Sequence, residues 1–192
     1  MPNAALDLLL TRRSSSVSGG LLGEPGPSPD ALRQMLTAAT RVPDHKKLAP
    51  WRFILFEGEA RAKFGQLLAD VVQREEKEPP SPARIEVEAG RFLRAPLVVA
   101  VVSRITPNPA APEWEQILSA GAACMTLCHA ANALGFASQW ITEWYGYSAG
   151  VRAGLGLADN ERIAGFVYIG TAKQRQPDRD RPALDAIVSR WG

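Results

Sequence analysis

The chain has 192 residues, of which 46% are hydrophobic, and its formal net charge is +2 at pH 7. This length suits one domain with enough apolar residues for a sizeable core. The small net charge does not indicate nucleic-acid binding, and no apolar run reaches the roughly 20 residues that cross a bilayer. We therefore expect a protein that binds neither nucleic acid nor membrane.

The N-terminus lacks a basic stretch followed by an apolar run and a small-residue cleavage site, so no signal peptide is predicted. Cys124 and Cys128 lie in an apolar segment rather than in the pattern of a secreted disulfide framework. We therefore expect a cytoplasmic protein. With His129 these cysteines lie in one predicted helix, where zinc would need further ligands, so we predict core residues and no metal site.

The first half of the chain predicts helices around one strand. Ser28 is a good N-cap and Pro29 suits the first helical position, which together predict where a helix starts. The stretch "WRFILFE" is aromatic and β-branched, as strands are. In chain order we predict a helix over 4–12, a helix from Ser28, a strand over Trp51–Glu57, a helix over 59–76 and a helix over Ala83–Leu93. The paired acids Glu75/Glu76 and Glu86/Glu88 fall in these charged helices and are predicted to be solvated.

The second half begins with a continuous apolar run, Pro96–Ser103, which predicts a strand buried on both faces. A long helix over Glu113–Leu134 follows, rich in Ala, Gly and Ser and predicted to be buried nearly all round. The remaining predictions are a strand over 136–142, a short helix within 148–157, a strand over Ile163–Gly170 and a C-terminal extension over 171–192 of a single domain 1–192. Because helices and strands do not alternate regularly, we predict the α+β class.

Familiar catalytic motifs are absent from the sequence. It contains no G-x-S-x-G elbow, no P-loop and no G-x-G-x-x-G between a strand and a helix, so a Rossmann site for NAD is not predicted. Two cationic groups stand out instead, namely the stretch "TRRSS" at 11–15 and the tail residues Lys173, Arg175, Arg179 and Arg181. Guanidinium groups beside hydroxyls suit a phosphate, although an arginine-rich stretch can also be plain solvated surface.

Five stretches, in order, resemble the nitroreductase family of FMN-dependent oxidoreductases, and especially its minimal single-domain bacterial members. They are "LLLTRRSSS" (8–16), "RVPDHKKLAPWRFILFEGEAR" (41–61), "RAPLVVAVV" (94–102), "WEQILSAGAACMTLCHAANALGF" (114–136) and "GFVYIGT" (165–171). The resemblance implies a mostly antiparallel central sheet flanked by helices. It also implies a homodimer with the long central helix at its interface and FMN bound between the subunits.

The resemblance also implies roles for particular residues. Arg12, Arg13 and Ser14 would hold the FMN phosphate and ribityl chain, and Arg179 and above all Arg181 would complete the phosphate site. Arg41 and His45 would reach over the flavin from the partner subunit. The isoalloxazine ring would lie beside Trp140, Ile141 and Thr142, and Gly170 would let the chain pass close to the cofactor.

The implied activity is ping-pong hydride transfer from NADPH or NADH, through FMN, to a small electron-poor acceptor such as a nitroaromatic or a quinone. No acid–base dyad is needed, because the flavin carries the chemistry. One alternative is a flavin-binding storage or sensor protein with little turnover. Another is flavin chemistry on a special substrate such as dehalogenation, which is disfavoured because the loops near 78–82 and 106–112 are short.

Overall fold

Five strands form one sheet in the part of the chain that the structure describes, and every pairing between them is antiparallel. The computed structural model describes residues 3–192. The strands are β1 (Leu22–Gly23), β2 (Trp51–Glu57), β3 (Leu97–Arg104), β4 (Ala137–Ile141) and β5 (Glu161–Ala172). One side of β5 pairs with β3, and its other side pairs with β4 and then with β1. The predicted α+β class is confirmed.

The helices begin largely where the local signals predict them. They are α1 (Ala4–Thr11), α2 (Pro29–Ala39), α3 (Glu59–Glu75), α4 (Pro82–Gly90), α5 (Glu113–Ala133) and α6 (Ala149–Gly154). The Ser28 side chain accepts a hydrogen bond from the backbone N–H of Ala31, which caps α2 as predicted. The predicted helix over Ala83–Leu93 is divided, because the chain passes into a 3-10 helix at Arg91–Arg94.

Each face of the sheet carries its own hydrophobic core. Phe166 and Tyr168 of β5 point towards α3 and α6, where they pack with aromatic residues such as Phe92. Val167 and Ile169, which alternate with them, point towards α2 and α5. The central strands β3 and β5 are therefore buried on both faces, as the apolar run in β3 predicts.

Helix α5 is less completely buried than its composition predicts. Its middle and end are core, and Cys124 and Cys128 are buried there as thiols whose pKa is raised by burial. Its first turns instead expose Trp114, Ile117 and Leu118. Among residues 3–192 no helix has the length and apolarity to cross a bilayer, and no group of three or more His, Cys, Asp or Glu could hold a metal ion.

The prediction that Glu88 is solvated is wrong. Its side chain is fully buried and accepts hydrogen bonds from Arg84, Arg91 and the indole Nε1 of Trp144. A buried carboxylate needs such partners, because desolvation without them is costly. The charged appearance of α4 in the sequence reflects this internal network.

A second buried carboxylate joins β2 to β5 across the intervening strand β3. The Nε and Nη2 atoms of Arg52 on β2 donate to the two carboxylate oxygens of Glu161 on β5, at 2.6 and 2.8 Å. These hydrogen bonds hold the pKa of Glu161 down at about 2. An acid with a lowered pKa stabilises the fold above its unfolded pKa of about 4.3 and loses this contribution as the pH falls towards the folded value.

We expect Glu161→Gln to lower the free energy of unfolding by about 2 kcal/mol at neutral pH, because it leaves Arg52 without its partner. The difference from the wild type should shrink as the pH falls from about 4 towards 2, where Glu161 becomes protonated. Urea unfolding at a series of pH values measures both effects. The matched control is Glu59→Gln, which breaks the exposed pair with Lys63 and should cost less than about 0.5 kcal/mol. A difference for Glu161→Gln that did not change with pH would contradict the assignment.

Candidate functional site

A pocket of about 290 Å³ lies where four segments meet, and we call it the Arg12 pocket. Its walls come from the end of α1, the end of α5, the start of β4 and the chain that follows β5. The lining includes Arg12, Arg13, Ser15, Asn132 and Arg175. A pocket of this size is near the small end of the range for ligands, about 300–1,000 Å³, and suits one end of a ligand.

The two adjacent arginines of "TRRSS" have different surroundings. Arg13 donates from Nε to the carbonyl of Pro177 at 2.9 Å and lies 3.7 Å from the carboxylate of Asp178. The Arg12 guanidinium makes no hydrogen bond or ion pair with any residue between 3 and 192. Arg12 therefore has its donors free, whereas Arg13 holds the tail in place.

The charge of Arg12 matters because two helices end at this pocket. Arg12 is the C-cap of α1, and Asn132 and Gly135 mark the end of α5. The C-terminal ends of helices carry partial negative charge and disfavour an anion. Burial, and then the charge of Arg12, lower the pKa of the neighbouring His129, so its imidazole is neutral at pH 7. Attraction for an anion must come from the guanidinium groups.

The tail arginine that lines the Arg12 pocket is not one of the two that the resemblance assigns to the phosphate. Arg175 lines the Arg12 pocket and has no ion-pair partner within residues 3–192. Arg179 and Arg181 lie outside it, are exposed, and Arg181 binds Asp178 at 3.4 Å. The contact of Arg179 and Arg181 with the phosphate stays a prediction. Ser14 is exposed too, and the buried Ser15 lines the pocket and donates its N–H to the Ser138 carbonyl of β4.

Strand β4 leads away from the pocket towards the other predicted residues. The indole of Trp140 lies over β5 and donates from Nε1 to the Ala164 carbonyl at 3.2 Å. It can do so because Gly165 has no side chain, since a Cβ there would lie 1.8 Å from the indole nitrogen. Ile141 packs against the core, and the Oγ1 of Thr142 accepts from the Tyr147 hydroxyl at 3.2 Å. Trp140 keeps 38% of its surface exposed beside this strand.

Gly170 lies in close contact with other parts of the same chain. A Cβ there would lie 2.7 Å from Pro96 and 2.9 Å from the Gly23 carbonyl. Gly170 therefore allows β1 to pair beside β5. This packing alone accounts for a glycine at 170, and the contact of Gly170 with a cofactor stays a prediction.

Arg41 and His45 belong to another part of the surface. His45 binds Glu115 at 2.7 Å between Nδ1 and Oε2, at the start of α5, and Arg41 is exposed nearby in sequence. The Arg12 pocket lies at the opposite end of α5, about 25 Å away at 1.5 Å per helical residue. One chain therefore does not bring His45 and Arg12 together.

Three comparisons with known proteins agree with one another. The profile described as the Nitroreductase family matches residues 10–171. "Putative NAD(P)H nitroreductase YdjA" from Escherichia coli K12 is 38% identical over 170 residues, which are 87% of each chain. The crystal structure of a nitroreductase-like family protein from Bacillus cereus has a TM-score of 0.85 at 22% identity, covering 100% of this chain and 97% of that one.

A further solved structure has the same fold. It is the FMN and NADPH-dependent nitroreductase NfnB from a Sphigopyxis strain, with a TM-score of 0.72 at 19% identity. The match covers 98% of this chain and 99% of that one. The aligned region therefore spans nearly the whole of both chains.

We expect Gly165→Ala to displace the Trp140 indole and to lower the free energy of unfolding by about 1–3 kcal/mol, as overpacking does. Gly121→Ala is the matched control, because that Cβ would lie 3.9 Å from the same indole, an ordinary contact. In the interior of α5 this change should be neutral or stabilise by up to about 1 kcal/mol. Urea unfolding and a crystal structure of each variant test the pair. Equal effects of the two alanines would contradict the role given to Gly165.

Proposed function

The chain belongs to the nitroreductase family, and on this premise we propose that it is an FMN-dependent oxidoreductase driven by NAD(P)H. Its acceptors are small electron-poor molecules such as nitroaromatics and quinones, reduced in a ping-pong sequence. The names of its relatives support this proposal, since one is named "Putative NAD(P)H nitroreductase YdjA" and NfnB is described as FMN and NADPH-dependent. Within this chain, the observation that carries the proposal is a pair of arginines, Arg12 and Arg175, which line a pocket at the start of β4 and have no ion-pair partner within residues 3–192.

The residues of the Arg12 pocket fit the phosphate of FMN. Arg12 and Arg175 would donate charge-assisted hydrogen bonds, each worth about 1.5–3 kcal/mol. Arg13 acts indirectly, because its bond to the Pro177 carbonyl fixes the tail that carries Arg175. The phosphate would thus be held by two parts of the chain that are distant in sequence.

When bound, FMN supplies the site that accepts a hydride from NAD(P)H and passes it to the acceptor. The protein binds and orients the ring. Trp140 and Ile141 end β4 beyond the pocket and Thr142 follows them directly, and we assign all three to the edge of the flavin site. Gly165 supports this arrangement because its lack of a side chain leaves room for the Trp140 indole beside β5. Ser14 and Gly170 stay proposed contacts of the cofactor.

A homodimer would complete the site. His45 is bonded to the start of α5, too far from the Arg12 pocket of its own chain to reach it, so we assign His45 and the nearby Arg41 to the flavin of a second copy. Exposed apolar residues support such an interface, because large patches of this kind mark contact surfaces. They are Leu9 and Leu10 on α1, Trp114 and Leu118 on α5, and Ile187 and Trp191 in the extension 171–192.

We expect Arg12→Ala to raise the dissociation constant of FMN by about 10- to 100-fold, because it removes one or two charge-assisted bonds. Arg175→Ala should weaken binding by about 10-fold. Arg181→Ala is the informative comparison, because Arg181 lies outside the pocket and should change FMN affinity less than about 3-fold. Fluorescence titration of FMN into apo-protein measures all three. A larger effect of Arg181→Ala than of Arg175→Ala would restore the prediction made from the sequence.

The purified protein reconstituted with FMN should show a flavin absorption spectrum that bleaches on anaerobic addition of NADPH or NADH. The colour should return when a quinone or a nitroaromatic is added, and steady-state oxidation of the dinucleotide should follow. A flavin that binds but is not bleached by either dinucleotide would favour a storage or sensor protein. Failure to take up FMN would overturn the proposed function.

A further inference from the structure

The backbone turn at the end of β4 adopts a conformation that is unusual for its residue. Glu143 has φ 50° and ψ −172°, a region that is nearly restricted to glycine. A side chain there strains the backbone, and such conformations persist only where neighbouring groups impose them. Glu143 directly follows Trp140–Thr142, the proposed edge of the flavin site. The groups that hold Glu143 in this conformation therefore also affect the position of that edge.

Two arginines hold the Glu143 carboxylate. Arg91 donates to one oxygen from Nη1, and Arg94 donates to the other from Nη2 at 3.0 Å. Both arginines lie on the 3-10 helix Arg91–Arg94, and their side chains are only 15% and 18% exposed. Arg94 is further fixed by its bond from Nε to the Arg91 carbonyl at 2.8 Å.

The residue after Glu143 is anchored through the same network. Trp144 donates from Nε1 to the fully buried carboxylate of Glu88 at 2.8 Å, and Arg91 also binds Glu88. Arg94 reaches the hydroxyls of Tyr145 and Tyr168 at 3.3 and 3.4 Å, beneath the sheet. The turn over 142–144 is therefore clamped to the 3-10 helix and to β5 by charged groups that are mostly buried.

Stability alone does not account for this arrangement. Buried ion pairs are often no more stabilising than apolar residues of similar size, because desolvation offsets their attraction. A glycine at 143 would relieve the backbone cost, yet it would leave Arg91 and Arg94 without this carboxylate. The strained backbone at Glu143 thus places one carboxylate between two guanidinium groups at the end of β4.

We propose that Glu143 is a positioning residue for the flavin, which fixes the turn over 142–144 and balances the charge of Arg91 and Arg94 beside the bound ring. This inference rests on the proposed function, since it takes Trp140, Ile141 and Thr142 as the flavin edge. It makes two separable claims. The geometry of the turn sets how tightly FMN binds, and the balance of charge sets how readily the bound flavin is reduced.

Two variants separate these claims. Glu143→Gln keeps the size of the side chain and removes its charge. Loss of the charge-assisted bonds from Arg91 and Arg94 should loosen the turn, so FMN affinity should fall about 10-fold. The midpoint potential of the bound flavin should rise, because uncompensated guanidinium groups favour the more negative reduced form. Arg94→Lys keeps the charge and loses the planar donor geometry. It should weaken FMN binding about 3- to 10-fold and leave the potential unchanged.

The measurements are fluorescence titration of apo-protein with FMN, the midpoint potential of the bound flavin and the melting temperature of the apo-protein. Glu161→Gln is the control, because it breaks a buried bidentate pair elsewhere in the sheet and should lower the melting temperature while both flavin readouts stay at the wild-type values. If Glu143→Gln does not fold, Arg94→Lys still tests the first claim. Wild-type affinity and potential in both variants would overturn the inference. Failure of the wild-type protein itself to bind FMN would overturn the proposed function instead.

Discussion

Strand β5 pairs with three other strands, and the geometry of the site depends on that pairing. Its final residues hold β1 and its middle holds β4, so both strands occupy the same edge of one central strand. The tail that carries Arg175 leaves from the end of β5, while Ser15 is bonded to β4 through the Ser138 carbonyl. Residues from both ends of the sequence thereby meet in the Arg12 pocket, and no single local segment could form it.

Glycines make this pairing possible at two places. Gly170 leaves room for Pro96 and for the Gly23 carbonyl of β1, and Gly165 leaves room for the Trp140 indole. Both lie on β5, where a side chain would push away the neighbour on one edge. The sheet is thus close-packed at these two glycines, and Trp140 lies on a strand that is hydrogen-bonded to β5 rather than on a loop. Sites built on strands place a ligand more precisely than sites built on loops.

Local signals in the sequence predict much of the fold and less of the site. The cap at Ser28 and the apolar run in β3 depend on neighbouring residues alone, so both predictions are confirmed. The burial of Glu88 depends on Trp144, which is far away in sequence, and the charge pattern of α4 predicts the opposite.

The two-residue strand β1 is too short to show any periodicity. In the same way, the path of the tail decides whether Arg175 or Arg181 faces Arg12, and no periodic pattern describes that path. The resemblance to the nitroreductase family supplies the residue types of the predicted site, and the tertiary structure shows which of them line the Arg12 pocket.

The separation of Arg12 from His45 gives the proposed dimer a definite geometry. The two groups lie at opposite ends of α5, so a second copy related by a two-fold axis across α5 would reverse the direction of that helix. The start of one α5 would then lie beside the end of the other, and His45 of each copy would approach the Arg12 pocket of its neighbour. The exposed Trp114, Ile117 and Leu118 lie on the first turns of α5, where such a contact needs apolar surface. Two-fold symmetry would make both sites equivalent, so the same arrangement would hold two flavins per dimer. In this proposed dimer the exposed start of α5 would be needed for binding as well as for assembly, which would account for the apolar residues that it leaves exposed.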